Sequence, residues 1–210
     1  MGSSWIQRHF WGPVYDRLAP LYDAVDWLTG GTTHRLRQRA LAYMPPPGSR
    51  LLEIGVGSGR LHAELAARYE MAGVDRAPGM VALTRRRLAA AGLRSALSVA
   101  DARALPWPDD CFDAVLSTFA LSAIPESGEA IDEMIRVIHP GGRVIVVDAG
   151  PAMDGNWPSR VLAALWEALG DYMRDEVPLL SARGLRVLRV DYGPWNAVHL
   201  VVGILPAGTE

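Results

Sequence analysis

The chain contains no lysine; all 21 of its basic residues are arginines. The absence of lysine excludes catalysis through a lysine Schiff base and excludes a P-loop, which needs a lysine to bind phosphate. Cysteine is nearly absent as well, because Cys111 stands alone and cannot form an internal disulfide. No apolar run is long enough to cross a bilayer. We therefore expect a protein of a reduced, cytoplasmic compartment.

Charge of one sign is not concentrated along the chain. The formal net charge is −2 over 210 residues, and the block Arg85, Arg86 and Arg87 is typical of a solvated helix face. No nucleic-acid partner and no required protein partner are therefore predicted. The five histidines share no metal-ligand spacing with one another or with Cys111, so no metal is predicted. The length suits one domain, which we assign to residues 1–210.

What the chain does contain is a regular alternation of strand-like and helix-like segments. Strands are predicted at 50–54, 71–75, 96–100, 112–118 and 142–148, and helices at 60–69, 78–92 and about 125–138. This alternation predicts an α/β fold, a Rossmann-like doubly wound sheet with parallel strands. Segments 185–192 and 196–205 are separated by three residues, which predicts a hairpin and an antiparallel last strand.

Three glycines in five positions follow the first predicted strand, within the segment LLEIGVGSGR. At a turn from strand to helix, the amides of such a loop point at a ligand that crosses the carboxyl edge of the sheet. The loop reads G-x-G-x-G and continues with Arg60, so the dinucleotide pattern G-x-G-x-x-G is not matched. The candidate cofactor-binding residues of this loop are Gly55, Gly57, Ser58 and Gly59.

Acidic residues stand at or near the ends of the first three predicted strands. Glu53 suits a cationic ammonium group and would repel a pyrophosphate. Asp75 lies twenty residues after Gly55, the separation at which an acid meets the hydroxyls of a ribose. Asp101 is placed to accept from an adenine amine, and the amide of Ala102 to reach a ring nitrogen. Together these groups indicate S-adenosylmethionine as the cofactor; the alternative is that Glu53 and Asp75 only cap strand ends.

With these motifs in this order, the sequence resembles the class I S-adenosylmethionine-dependent methyltransferases from about residue 15 to residue 202. The resemblance rests on LLEIGVGSG, GVDRAPGM, ADARALPWPDDCFD, AVLSTFALSAIP and VIHPGGRVIVVD. It implies a seven-stranded sheet completed by the reversed hairpin, and contacts to the methionyl amine from the backbone near Gly55 and Ser117. It also implies that Met80 packs against the adenine, and Arg76 of the same motif is a further cofactor-site candidate. Taken alone, Met80 would be interpreted as a core residue.

Two helical segments are predicted to cover the acceptor. In the family the N-terminal segment, here residues 1–44, folds over the methyl group as a lid, and a second cap insertion is expected at 153–182. Tyr22 and Tyr15 are the catalytic candidates, because a hydroxyl in the lid is able to take or relay a proton from the acceptor. The alternative is that the apolar periodicity of this segment packs a helical cap.

The acceptor is predicted to be a small amphiphilic molecule. The N-terminal part is similar to the quinone-biosynthesis C-methyltransferases, whereas the short length and LSAIPESGEAIDEMIRVIHPGGRVIVVDAG are closer to the bacterial phosphatidylethanolamine N-methyltransferases. A phospholipid amine is the first expectation and C- or O-methylation of a quinone or other hydrophobic metabolite the second. The third is a non-catalytic S-adenosylmethionine-binding protein. Aromatic and basic residues in SSWIQRHFWGP suit a peripheral membrane contact, or alternatively a lid over the site.

Overall fold

A computed structural model of the chain describes residues 32–151, 153, 155, 157–168, 171–192 and 197–208. The predicted catalytic residues Tyr15 and Tyr22 lie outside the described residues, as does the N-terminal segment predicted to contact a membrane. Within the ranges that are described, no helix combines the length and the apolar character needed to span a membrane.

Strands and helices alternate along the described chain. The strands are β1 (Arg50–Ile54), β2 (Glu70–Asp75), β3 (Ala96–Val99), β4 (Phe112–Thr118), β5 (Ile138–Ala149), β6 (Arg186–Tyr192) and β7 (Val198–Ile204). The helices are α1 (Thr32–Leu41), α2 (Arg60–Ala66), α3 (Pro78–Ala90), α4 (Ser127–Val137), α5 (Trp157–Ala168) and α6 (Glu176–Ser181), with a 3-10 helix at Leu121–Ala123. Strand β5 begins four residues before its predicted start, because Ile138 already pairs with Phe112 ahead of a register shift.

The seven strands form one sheet in the order β3-β2-β1-β4-β5-β7-β6. Strands β1 to β5 pair in parallel, and β7 is antiparallel to both β5 and β6. The structure thus confirms the predicted doubly wound sheet with a reversed last strand. The chain runs outward through β2 and β3 and then returns to β4 on the other side of β1, so the connections part at this point and leave a crevice at the carboxyl edge.

Helix α3 shows how local sequence sets the ends of an element near that crevice. Pro78 occupies its first turn, where a missing N–H costs no hydrogen bond. The helix ends before Gly92, whose φ of 68° lets the amide of Leu93 donate to the carbonyl of Leu88 at 2.9 Å. Because α3 begins three residues after β2 ends, its N-terminus lies at the carboxyl edge of the sheet.

The sheet is buried on both faces. On one face Ile54, Val115 and Val146 pack with α4 and α6, and on the other Leu116 and Leu200 pack with α1 and α2. Helix α6 falls within the predicted cap insertion 153–182, but its Leu180 is fully buried in the core beneath β6 and β7. Helix α6 therefore packs on the sheet through Leu180. Helix α5 differs, since Trp157 and Val161 are 77% and 59% exposed.

Candidate cofactor and acceptor site

The glycine loop between β1 and α2 has a left-handed backbone at each glycine, with φ of 72° at Gly55, 52° at Gly57 and 74° at Gly59. Two of these glycines are also required for space. A Cβ on Gly55 would lie 2.5 Å from the Cβ of Ala120, and a Cβ on Gly59 would lie 2.5 Å from Oγ1 of Thr84. A Cβ on Gly57 would meet no atom beyond its chain neighbours closer than 4.0 Å. Gly57 therefore borders open space at the carboxyl edge, where a ligand is able to approach the backbone.

Asp75, at the end of β2, holds this loop in place. Its Oδ2 accepts a hydrogen bond from the amide of Gly57, and its Oδ1 accepts one from the amide of Ala77, both at 2.9 Å. Burial raises the pKa of Asp75 and the charge of Glu53 adds to the rise, while these two amides oppose it. Each carboxylate oxygen has a second lone pair, so the side chain keeps the capacity to accept from ribose hydroxyls.

Glu53 is buried in β1 beside a histidine. Its Oε2 lies 2.8 Å from Nδ1 of His62, a fully buried residue of α2. The Nε2 atom of His62 lies 2.7 Å from Oγ of Ser95, and that hydroxyl donates to the carbonyl of Met71 at 2.6 Å. The acid predicted to bind the cofactor ammonium thus belongs to a buried hydrogen-bonded chain.

Asp101 follows β3 and is gripped by a nearby arginine. Nε and Nη2 of Arg103 donate to Oδ1 and Oδ2 of Asp101 at 3.0 Å and 2.7 Å, and this pairing lowers the pKa of the Asp101 carboxyl. The same guanidinium donates through Nη1 to Oε2 of Glu126 at 2.6 Å. Any contact from Asp101 to an adenine amine has to use the remaining lone pairs of its oxygens. Ala102, predicted to offer its amide beside it, is buried in the core.

The other predicted cofactor residues lie along the same edge. Met80 is buried in the first turn of α3. Arg76 is exposed between β2 and α3, and its charge contributes to the lowered pKa of Asp101. In the glycine loop, Oγ of Ser58 lies 3.4 Å from Nη1 of Arg87. The structure therefore brings the predicted cofactor residues to one edge of the sheet, on β1 to β4 and the connections that follow these strands.

Ser117, near the carboxyl end of β4, marks where a polar ligand fits. Its side chain is fully buried, and among the described residues its Oγ has no hydrogen-bond partner. Buried hydroxyl groups nearly always have one. Ser117 lies in register with Ile54, the last residue before the glycine loop. A cofactor with polar groups here would supply the missing partner and would fill the space beside Gly57, so the residues present fit S-adenosylmethionine.

The other half of the edge, on β4 and β5, is termed the acceptor half because most of the cofactor residues predicted from the sequence lie on β1 to β3 and the connections after them; it contains a second buried acid, Asp148 of β5. Its Oδ2 accepts from the amide of Ser122 at 3.0 Å, and its Oδ1 accepts from the amide of Ala149 at 2.8 Å. Burial raises the pKa of Asp148 to about 7, and the charge of Glu176 adds to the rise. At neutral pH this carboxyl group is therefore close to the midpoint between its two protonation states.

Asp148 lies opposite His199 of β7, which is fully buried with its Nδ1 2.9 Å from Oε2 of Glu176. This placement suits a structural histidine. Potential ligand atoms of Asp175, Glu176 and His199 lie within 4.8 Å of one another. The fold already uses them, because Asp175 caps α6 through the amide of Val177 and Glu176 holds His199.

Four residues of this edge were not predicted from the sequence: His62, Arg103, Asp148 and Glu176. Asp148 had a readable signal, since it is an acid near the end of a parallel strand, as Asp75 is. Arg103 had a weaker one, two positions after Asp101. His62 and Glu176 had none, because their partners come from other elements of the fold.

Relatives of known name share the sequence that builds this edge. Residues 52–146 match the family model described as Methyltransferase domain. The chain is 38% identical over 148 residues to the demethylmenaquinone methyltransferase of Thermus thermophilus, covering 68% of this chain and 67% of that protein. It is 32% identical to the ubiquinone/menaquinone biosynthesis C-methyltransferase UbiE of Geobacter sulfurreducens, over 64% of this chain and 56% of that protein. It is 35% identical to the phosphatidylethanolamine N-methyltransferase of Cereibacter sphaeroides, over 60% of this chain and 66% of that protein.

Solved structures share the fold at lower identity. The 4+2 cyclase SpnF superposes with a TM-score of 0.73 at 21% identity, covering 94% of this chain and 95% of that chain. The N-methyltransferase NodS of Bradyrhizobium japonicum, in complex with S-adenosylhomocysteine, superposes with a TM-score of 0.66 at 17% identity over 83% and 85%. Strand order, glycine loop and sequence relatives agree: the chain belongs to the class I S-adenosylmethionine-dependent methyltransferases and uses S-adenosylmethionine as its cofactor.

Proposed function

We propose that this methyltransferase acts on a carbon atom of a quinone-type ring. The observation that carries this proposal is the 38% identity to a protein named as a demethylmenaquinone methyltransferase. From the sequence alone a phospholipid amine is the first expectation, but the relative named for that activity matches a smaller share of the chain, 60% against 68%. The order of the two acceptors is therefore reversed here.

The end of β4 supports a planar acceptor. Phe119 has φ of 54°, a left-handed conformation that is strained for an aromatic residue and is found mainly where function requires it. The guanidinium carbon of Arg37 lies 5.5 Å from the centroid of this ring. The ring also packs against the core cluster that contains Leu116, so a quinone ring that stacks here would use the part of Phe119 left uncovered by Arg37 and the core.

The described residues would contribute chiefly orientation to the reaction. Bound S-adenosylmethionine supplies a methyl group already activated by the positive charge on sulfur. Asp75 and the amides of the glycine loop would hold the nucleoside, and Ser117 would hold the methionyl end. Alignment of the methyl group with the acceptor carbon then accounts for most of the acceleration. The carbon that gains the methyl group loses a proton, so a proton acceptor near the ring is needed.

Tyr22 and Tyr15 are proposed as the groups that take or relay this proton. The test is turnover and cofactor affinity of Tyr22→Phe and Tyr15→Phe, measured separately. If a hydroxyl acts on the acceptor, kcat falls by at least about tenfold while the S-adenosylmethionine Kd stays within about twofold. Unchanged kcat in both variants would assign the two side chains to packing of the lid.

The acceptor class is tested with purified protein, two candidate substrates and a blank without acceptor. Demethylmenaquinone in detergent, phosphatidylethanolamine vesicles and buffer alone are each incubated with S-adenosylmethionine, and S-adenosylhomocysteine and the methylated product are measured by mass spectrometry. A product 14 mass units heavier than demethylmenaquinone, as expected from replacing a hydrogen by a methyl group, supports the proposal. Methylated phosphatidylethanolamine instead would restore the phospholipid amine as the acceptor.

A third outcome is cofactor binding with no product from either acceptor. SpnF gives this possibility a concrete basis, because a protein with this fold is named for a cyclisation and not for methyl transfer. In that case the chain would be a cofactor-binding protein or an enzyme of another reaction. Comparing lipids and quinones from cells with and without the protein separates these outcomes.

A peripheral membrane contact is proposed for a cytoplasmic enzyme whose acceptor resides in lipid. Exposed apolar side chains of the described chain include Met153, Trp157 and Val161 within and just before α5. The segment 1–11 was predicted to add aromatic and basic groups. Deleting residues 1–11 should leave S-adenosylmethionine binding intact and abolish sedimentation with anionic vesicles. A truncated protein that still sediments would remove this segment from the contact.

A further inference from the structure

The hydrogen bonds that link Glu53, His62, Ser95 and the carbonyl of Met71 determine how many protons the Glu53 and His62 side chains carry. Ser95 has one hydroxyl proton, and its Oγ lies 2.6 Å from the carbonyl of Met71, which is only an acceptor. Ser95 therefore donates to Met71. Its Oγ must then accept at the other contact, so the Nε2 atom of His62, at 2.7 Å, carries a proton.

The second ring nitrogen of His62 determines the net charge of the pair formed by His62 and Glu53. Nδ1 of His62 and Oε2 of Glu53 are 2.8 Å apart and both side chains are buried, so one proton must lie between these two atoms. If it resides on Nδ1, an imidazolium faces a carboxylate. If it resides on Oε2, a neutral imidazole faces a carboxylic acid. In both cases the pair carries no net charge.

We propose that His62 is a positioning residue of the cofactor site that fixes Glu53 beside the glycine loop and cancels its charge. The inference rests on the placement of S-adenosylmethionine at this loop. Glu53 is then a hydrogen-bonding group within a neutral pair. This differs from the expectation that a bare carboxylate attracts the ammonium group of the cofactor.

The neutral pair also explains how two acids share this edge. Asp75 ends the strand next to β1 and is close enough to feel the charge of Glu53. Two uncompensated carboxylates beside each other in a partly dry site would repel one another. His62 reduces this repulsion by supplying one positive charge, or by leaving the proton on Glu53, and Asp75 is then the acid that meets the ribose.

Four proteins test the proposal by their charge at this position. The two side chains at positions 53 and 62 together carry no net charge in the wild type, in Glu53→Gln and in the double variant Glu53→Gln with His62→Asn. In His62→Asn alone, the Glu53 carboxylate is left without a compensating charge. Asparagine is able to donate from the position of Nδ1 without carrying a charge. The readout is the ratio of the Kd values for S-adenosylmethionine and S-adenosylhomocysteine by calorimetry at pH 8. The two ligands differ by one methyl group and the positive charge on sulfur, so a change in packing around the rest of the ligand alters both affinities in parallel.

We expect His62→Asn to shift the ratio toward S-adenosylmethionine by at least about threefold, because a nearby negative charge favours the cationic sulfonium. The ratio should stay at the wild-type value in Glu53→Gln and return to it in the double variant, whatever happens to the absolute affinities. An unchanged ratio in folded His62→Asn, or a shifted ratio in Glu53→Gln, would overturn the proposal.

Controls separate this result from misfolding and from a wrong cofactor. His139→Asn is the matched variant, because His139 also pairs with an acid, Asp113, but at the amino edge of the sheet. It should leave the ratio unchanged. If His62→Asn does not fold, nitrogen NMR of wild-type His62 decides, and an unprotonated Nε2 would refute the proton count. A wild type that binds neither ligand would instead contradict the proposed function.

Discussion

The two halves of the carboxyl edge hold their acids in different ways. In the cofactor half, on β1 to β3, each acid has its own compensating group: Glu53 has His62, Asp75 has the amides of Gly57 and Ala77, and Asp101 has Arg103. In the acceptor half, Asp148 has backbone amides but a second acid nearby, and burial raises its pKa to about 7. The acceptor half thus contains a group that changes charge near neutral pH, whereas in the cofactor half the pairing with Arg103 lowers the pKa of Asp101 and so favours its charged form.

The difference matters for a methyltransferase. A cofactor that carries its own positive charge is bound best by groups already in place, since none of them then has to reorganise on binding. Proton release accompanies methylation of a carbon or an amine, so a titrating group belongs on the acceptor side. Asp148 is buried behind Ser122, and it acts on that side by holding the 3-10 helix that follows β4.

The largest effect is expected within the glycine loop, where one glycine-to-alanine substitution should mainly lower stability and another should mainly lower cofactor affinity. Gly59→Ala forces a Cβ to 2.5 Å from Thr84 at a φ of 74°. Overpacking and left-handed strain together should lower the free energy of unfolding by about 3 kcal/mol. Gly57→Ala has the strain without the clash and should cost about 1 kcal/mol. Urea denaturation measures both.

The variant that is less destabilised, Gly57→Ala, should be the one that loses cofactor affinity directly. Gly57 borders open space, so its new methyl group would occupy volume that the cofactor needs, and Gly57→Ala should fold while binding S-adenosylmethionine at least about tenfold more weakly. A Gly57→Ala protein with wild-type affinity would place the cofactor elsewhere on the edge.

The next effect is on Asp75. Asp75→Ala removes the acceptor of the Gly57 amide and the proposed acceptor of the ribose hydroxyls, and a hydrogen bond to a charged group contributes about 1.5–3 kcal/mol. S-Adenosylmethionine affinity in calorimetry should fall at least about tenfold. Asp113→Ala, which removes an acid at the opposite edge of the sheet, is the control and should bind normally. Equal affinities in the two variants would mean that the ribose lies elsewhere and that Asp75 is not part of the cofactor site.

These contrasts follow the distance in sequence between the partners. The glycine loop, Asp75 and Asp101 were predicted because a strand, its turn and its terminal acid are adjacent in the chain, and the parallel order brings them to one edge. His62 and Glu53 are nine positions apart, but their contact depends on how α2 packs on the sheet. The contacts among Asp148, Glu176 and His199 form only because β7 pairs antiparallel with β5. No local sequence pattern predicts these contacts. The two predicted tyrosines remain predictions.

A moderate effect is expected from the titration of Asp148. Its pKa is raised from 3.8 to about 7 in the folded protein, so the folded state holds the proton over a range in which the unfolded chain has lost it. This contribution to stability is complete below about pH 4 and is lost as the pH rises toward 7. Between about pH 5 and 6.5 the wild type should lose up to about 1.4 kcal/mol per pH unit more than Asp148→Asn. Urea denaturation across this range measures the two slopes, and equal slopes would show that Asp148 titrates normally.

The smallest effect is expected at the amino edge, where His139 and Asp113 form an exposed counterpart to the Asp148 network. The hydrogen bond that His139 donates to Asp113 raises the pKa of His139. Burial raises the pKa of Asp113, but His139 and the amide of Arg50 outweigh this effect, and the net change in the pKa of Asp113 is downward. The pair therefore stabilises the fold from the lowered pKa of Asp113 up to the raised pKa of His139, and its contribution is lost as the pH leaves this window on either side. Because the His139 side chain is 42% exposed, His139→Asn should cost no more than about 0.5 kcal/mol at pH 6 and nothing at pH 9.

Molar salt should remove this difference and leave the Asp148 slope intact, since solvent ions screen an exposed pair and do not reach a buried carboxyl group. A slope for Asp148 that salt also removes would show that the acceptor half is open to solvent.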